Sequence, residues 1–334
     1  MLAYFNNRSF AFLYLFNMSE TKDLFKRGGG VSLLKQYWRA GVLLPTMAQF
    51  VLLGKSRTAL ELLRMTASLK TQQRLERKYR KVLNEFKYDE TLKHYAAKKV
   101  WVFWWQGMES APTLVKRCYQ SVKENLSDWE ILLITQDNYK QYIDFPEHIL
   151  QKLDKGQITL THFSDLLRLE LLIQHGGLWL DATVLCTGGV IPQSIIDSDL
   201  FVYQAQKPGS NGMATIMSSW CMYAKTNNKI LMATRELLYE YWKKNTKMDD
   251  YFLLHQFFTI VCNKYPEDSM KIPPFCNSVP HILLLHLFDK FDKQLWSDLL
   301  KMTCFHKLSY KLDAQKTEIP DTYYQYIIKQ GKID

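Results

Sequence analysis

The sequence contains no CxxC pair and no cluster of Cys and His at zinc spacing; its six cysteines (118, 186, 221, 262, 276, 304) stand far apart. They read as reduced thiols of a cytosolic protein, which argues against a disulfide framework and a structural zinc site. No run reaches the roughly 18–20 apolar residues that span a bilayer. The nearest, AGVLLPTMAQFVLLG (40–54), is too short and holds Pro45. FAFLYLF (10–16) lacks a small-residue cleavage site and is not read as a signal peptide. The absence of GxxxxGK[ST], GxSxG and HExxH argues against a P-loop nucleotidase, a serine-hydrolase elbow and a zincin. With no RNP-like motif, zinc finger or Gly-rich basic repeat, nucleic acid is not an expected partner. GGG (28–30) follows no predicted strand and reads as a hinge rather than a phosphate loop. There is no internal repeat and no low-complexity tract.

What the chain does have is ample material for a core: 334 residues, 47% hydrophobic and 14% aromatic. Its formal charge of +10 is uneven, because Arg64–Lys99 carries eleven Lys/Arg against four acids. Apolar residues in 60–95 fall near helical spacing with the basic residues on the other face. Such a stretch suits either a solvated helix face packed on the rest of the protein or contact with an anionic membrane surface. Residues 1–97 therefore read as a helical, basic N-terminal region.

The character changes at Lys98. KKVWVFWWQG (98–107) and DWEILLIT (128–135) are predicted strands, with a helix at 111–126 that starts near Pro112. Strand, helix, strand in so short a span is the mark of a parallel βαβ unit. A helix at about 163–174, a strand at about 178–184, a strand at 199–205 and helices near 228–243, 250–263 and 292–302 complete an α/β domain over 98–334.

THFSDLLRLELLIQHGG (161–177) reads as a helix with Ser164 as N-cap and Gly176/Gly177 as its stop. Asp165 and Arg168 share one face, as a surface ion pair would or as a ligand-binding pair would. In LWLDATV the alternation puts Trp179, Asp181 and Thr183 on one side. A carboxylate at the end of a buried parallel strand lies where α/β sheets bind ligands, though capping the next loop is the alternative role.

Taken together, WWQG (104–107), SDLLRLELL (164–172), GGLWLDAT (176–183) and FHKLSYKL (305–312) resemble the capsular polysaccharide synthesis proteins. These are bacterial relatives of glycosyltransferase family 32, the sugar transferases with a D-x-D motif. The resemblance covers about 98–312. It implies a GT-A type, Rossmann-like nucleotide-sugar-binding domain that transfers a hexose with retention. The donor would be a nucleotide-sugar such as UDP-galactose or UDP-glucose, and the acceptor a lipid-linked capsular or exopolysaccharide unit at the inner face of the cytoplasmic membrane. By the same resemblance Trp105, Gln106 and Gly107 lie near the nucleotide. Asp165 and Arg168 hold donor sugar and phosphate oxygens. Asp181 matches the first Asp of D-x-D and carries a divalent cation, Mn²⁺ or Mg²⁺. His306 joins the metal, and Lys307 neutralises phosphate. Asp250 is a candidate to orient the acceptor hydroxyl, or else a helix cap. Thr183 replaces the second Asp of D-x-D, and a neutral hydroxyl is a weaker ligand than a carboxylate, so metal dependence is the open point. A non-catalytic nucleotide- or glycan-binding protein of the same fold is the alternative.

Overall fold

The computed structural model describes residues 37–38, 41–54, 56–188, 190–206 and 215–332. The expected hinge at 28–30 lies outside them.

The N-terminal part of the described residues carries α1 (Leu43–Leu53) and α2 (Arg57–Glu85), the second capped by Ser56 Oγ accepting from the Ala59 amide at 3.1 Å. The βαβ unit follows: β1 (Lys99–Phe103), α3 (Thr113–Asn125) and β2 (Glu130–Ile134). Next are α4 (Leu160–His175), β3 (Gly177–Asp181), β4 (Val184–Cys186), β5 (Leu200–Gln204) and β6 (Met217–Ala224). Helices α5 (Lys229–Lys244), α6 (Leu253–Lys264) and α7 (Lys293–Met302) lead to β7 (Phe305–Lys307), with short helical turns between.

The main sheet runs β2-β1-β3-β6-β5. Strands β2, β1 and β3 are parallel, and β6 is antiparallel to both of its neighbours. This is a mixed α/β architecture, as expected. Alternation along β1 and β3 feeds two cores. Trp101 and Trp179 pack on one face with residues of α2, α4, α5 and α6, while Val100, Val102, Leu178 and Leu180 pack on the other with Val115 and Val122 of α3. Helix α2 is thus part of the main core. Its Leu75, Tyr79 and Leu83 lie in the same cluster as Trp101, and the Tyr79 ring meets Phe257 edge-on at 5.3 Å.

Three local readings need correction. The N-cap of α4 is Thr159, whose side chain accepts from the His162 amide; Ser164 lies within the helix and its hydroxyl donates to the Thr161 carbonyl at 2.7 Å. The predicted strand 178–184 is two strands separated by a turn at 182–183. Strand β6, between β3 and β5, has no Val, Ile or Thr in MSSWCMYA and was not predicted.

The double glycine has a steric reason. Gly177 adopts φ +100°, and a Cβ there would stand 2.5 Å from the Lys99 carbonyl oxygen of the neighbouring strand. Only glycine lets α4 turn directly into a strand seated beside β1. That junction fixes the register Val100↔Leu178 through Phe103↔Asp181, so Asp181 emerges at the carboxyl end of the parallel strands.

Candidate active site

Two strand ends and one helix converge on Asp181. From β3, the Trp179 indole Nε1–H donates to Asp181 Oδ1 at 3.1 Å. From α4, Arg168 Nη2 donates to the same oxygen at 3.4 Å, with its guanidinium 4.9 Å from the Trp179 ring centroid. From β7, Lys307 Nζ donates to Asp181 Oδ2 at 2.9 Å and to Thr183 Oγ1 at 2.6 Å. Burial works to raise the Asp181 pKa, but Lys307 and then Arg168 outweigh it and hold the carboxyl at about 2.

Arg168 has little left to offer a ligand. Nε donates to the Ser164 carbonyl at 3.2 Å, Nη1 to the Ser219 carbonyl of β6 at 2.9 Å, and Nη2 also to Ser164 Oγ at 3.1 Å. Nη1 lies 3.2 Å from Asp165 Oδ1. Asp165 also meets His162 Nδ1, 3.2 Å from Oδ2. The Trp242 Nε1–H donates to His162 Nε2 at 2.9 Å, which puts the hydrogen of the neutral ring on Nδ1, facing Asp165. A buried chain therefore runs from Trp242 through His162, Asp165 and Arg168 to Asp181. Asp165 and Arg168 are thus a buried rather than a surface pair, engaged with protein groups next to Asp181.

His306 does not join the site. Strand β7 pairs antiparallel with β4, setting Lys307 opposite Val184 and His306 opposite Leu185. Successive side chains on a strand face opposite ways, so turning Lys307 toward Asp181 sends His306 into the core on the other side. There its Nε2 lies 3.1 Å from Thr187 Oγ1, its ring stacks obliquely near Trp296, and burial pushes its pKa down to about 4.

Asp250 is also elsewhere. Oδ1 accepts from the Phe252 amide at 2.8 Å and Oδ2 from Gln256 Nε2 at 3.2 Å, which ties Asp250 into the turn before α6, whose N-cap is Phe252. Burial raises its pKa, opposed by the Phe252 amide. The same segment supplies residues that sequence reasoning missed. His255 feels the charges of Asp165, Arg168 and Asp181, burial first pushes its pKa down to about 4, and its buried Nδ1 has no hydrogen-bond partner. The Tyr251 side chain is largely exposed, but partial desolvation of its hydroxyl and then the charges of Asp165 and Asp181 raise its pKa.

At the end of β1, Gly107 closes a tight turn at φ +76° with its amide donating to the Trp104 carbonyl at 3.0 Å. Gln106 is exposed, whereas the Trp105 ring packs among Phe103, Tyr139 and Phe163. Trp104, rather than Trp105, reaches the β7 side, where its ring meets Tyr310 at 5.4 Å.

A Mg²⁺- or Mn²⁺-like ion takes about six oxygen ligands in near-octahedral geometry. Here the chain offers one carboxylate whose two oxygens already accept N–H groups, one hydroxyl engaged by an ammonium, and a histidine that faces away. Among the described residues no group of three or more His, Cys, Asp or Glu could hold a metal. These residues do not fit the divalent cation that the resemblance implies.

The chain is 26% identical over 197 residues to the O-glycosyltransferase braB of Annulohypoxylon truncatum, covering 53% of this chain and 45% of that one. It is 24% identical over 171 residues to the O-glycosyltransferase PaGT of Phomopsis amygdali, covering 46% and 40%. The chain thus spans less than half the length of these relatives. Among solved structures it is similar to the PaToxG glycosyltransferase, at 16% identity and a TM-score of 0.35, over 80% of this chain and 98% of that one. The model of the capsular polysaccharide synthesis protein family matches residues 58–327, taking in α2 as well as the α/β domain. The chain belongs to that family.

Proposed function

We propose that this protein is a glycosyltransferase that moves a hexose from a nucleotide-sugar to a hydroxyl of a glycan acceptor, with retention at the transferred carbon. The observation that carries the reading is the Asp181–Lys307–Thr183 cluster at the carboxyl ends of parallel strands, the position where open α/β sheets bind nucleotides. Family membership and the names of the two relatives support it. In the reaction the bond from sugar C1 to the phosphate oxygen breaks and a bond from C1 to the acceptor oxygen forms on the same face. The acceptor proton passes to the departing phosphate. Lys307 meets the charge that develops there, held in place by Asp181 and Thr183. For orienting the acceptor hydroxyl, His255 is a better candidate than Asp250, because its Nδ1 has no partner and lies in the field of the cluster, whereas both Asp250 oxygens accept from Phe252 and Gln256.

Nucleotide release from UDP-galactose and UDP-glucose tests the proposal. The unaltered chain turns over at least one donor, and Asp181→Ala abolishes release. A variant that keeps full turnover would overturn the role given to Asp181. Thr183, a hydroxyl in place of a carboxylate, favours a second reading as a non-catalytic nucleotide- or glycan-binding protein; donor binding without release would select it.

The acceptor is proposed to be lipid-linked and met at an anionic membrane. No helix among the described residues is long and apolar enough to cross a membrane. Helix α1 is uncharged, however, and exposes Leu44, Val51 and Leu52, while α2 exposes Arg57, Arg64, Lys70, Arg77, Lys78, Arg80 and Lys81. Apolar and basic surfaces side by side suit an interfacial contact. Salt-sensitive sedimentation with anionic liposomes is expected; no sedimentation at low salt would remove the membrane from the account.

A further inference from the structure

We propose that the ammonium of Lys307 stands where a divalent cation would otherwise be held, so that the donor's diphosphate binds to the protein without a metal ion. The proposal rests on the sugar-transferase reading and deepens it.

Positions 181 and 183 both turn toward one point, and that point is filled by Nζ, 2.9 Å from Asp181 Oδ2 and 2.6 Å from Thr183 Oγ1. The substitution that makes Thr183 a poor metal ligand makes it a good partner for an amine: the hydroxyl accepts from the ammonium without adding a second negative charge. With a carboxylate at 183, a single positive charge would face two negative ones. With a hydroxyl there, Lys307 and Asp181 balance. The other Asp181 oxygen already accepts from Trp179 and Arg168, so the free lone pair of Asp181 is on Oδ2, next to the ammonium. A divalent ion set against Asp181 would also have to lie beside the ammonium, a like-charge contact at close range.

Lys307 is built for the part. An ammonium has three N–H donors. Two are used on Asp181 and Thr183, and the third has no partner among the described residues. The side chain is 19% exposed, so the spare donor has a route to ligand. The backbone of β7 is fixed by antiparallel pairing to β4, including the Leu308 amide donating to the Thr183 carbonyl at 2.9 Å. Lys307 thus arrives pre-positioned and already tethered to an anion. An incoming diphosphate then meets a fixed positive charge, and one N–H···O⁻ bond forms without reorganisation of the site.

Calorimetric titration of UDP, GDP and dTDP into the full chain, with excess EDTA or with Mn²⁺, tests this. At least one nucleotide is expected to bind with the same affinity in both conditions. Lys307→Met should weaken it by about ten- to a hundredfold, the loss of one charge-assisted hydrogen bond, and Mn²⁺ should not restore it. Lys307→Arg, which keeps the charge, should recover part of the affinity and guards against misfolding of the first variant. Binding that EDTA abolishes, or a Lys307→Met variant that binds as tightly as the unaltered chain, overturns the ammonium's role and leaves the sugar-transferase reading standing. No binding of any nucleotide in either condition overturns both.

Discussion

Asp181 and Glu170 are two carboxylates drawn from the same short segment of chain, and each is held by a guanidinium and an aromatic hydrogen-bond donor. Glu170, on α4, accepts from the Tyr239 hydroxyl, from Gln174 Nε2 at 2.9 Å and from Arg235 Nη1 at 3.5 Å. Its side chain is 4% exposed, against 28% for Asp181. Around Glu170, Tyr239 and Arg235 reach across from α5 and tie it to α4, while Gln174 comes from the same helix. Around Asp181 one side is open, and one partner, Lys307, has a donor to spare among the described residues. Burying a charge with its full complement of partners makes architecture; leaving one donor unspent at the end of a parallel strand makes a site.

Exchanging the roles breaks the comparison if it is wrong. The largest effect is expected from Asp181→Asn, which keeps the shape and removes the charge that holds Lys307. Turnover per folded molecule should fall by about a hundredfold or more, with a stability loss of about 2 kcal/mol at neutral pH that matches the depressed Asp181 pKa. Glu170→Ala should change stability alone. It leaves Arg235 and Tyr239 unpaired in the α4–α5 interface and costs about 3 kcal/mol in denaturant unfolding, with kcat per folded molecule unchanged.

Acid sharpens the contrast further. Asp181 is held at about 2, below its ordinary value, so its stabilising contribution is intact above pH 4 and lost only as pH falls toward 2. His306 is pushed down to about 4, below its ordinary 6.5. Below pH 6.5 the unfolded chain takes up a proton that the folded chain refuses until about pH 4, so stability falls across that window. His255 shifts in the same direction. Each contributes a slope of about 1.4 kcal/mol per pH unit there. In melting scans against pH, His306→Phe should flatten the decline by roughly half. The smallest effect is expected from Trp242→Phe, which removes the N–H that sets the His162 tautomer. A loss of about fivefold in kcat, corresponding to one neutral hydrogen bond, with KM unchanged would mark positioning at a distance.

Much of this was legible in the residues. The βαβ unit, the helix ended by Gly176–Gly177 and the strand-end Asp181 all carry local signals: apolar runs of strand length, a left-handed stop, and one acid among buried neighbours. What was hidden depends on register or on distant partners. Nothing local says whether His306 or Lys307 faces Asp181, since shifting a three-residue strand by one residue exchanges them. His162 gains its meaning from Trp242, which is far away in sequence and reaches it only when α5 packs on α4. Strand β6 takes its place from β3 and β5 on either side rather than from its own composition. Asp250 had two roles open to it, and its oxygens are engaged by the Phe252 amide and Gln256 in the turn that leads into α6.

The most direct test of the central claim is a crystal structure of the full chain with UDP, grown in the presence of EDTA. The expected result is a diphosphate oxygen within hydrogen-bond distance of Lys307 Nζ, beyond the carboxyl end of β3. A diphosphate bound elsewhere, for example in the cavity lined by His94, Lys229 and Lys271, with Lys307 still closed on Asp181 and Thr183, would contradict it.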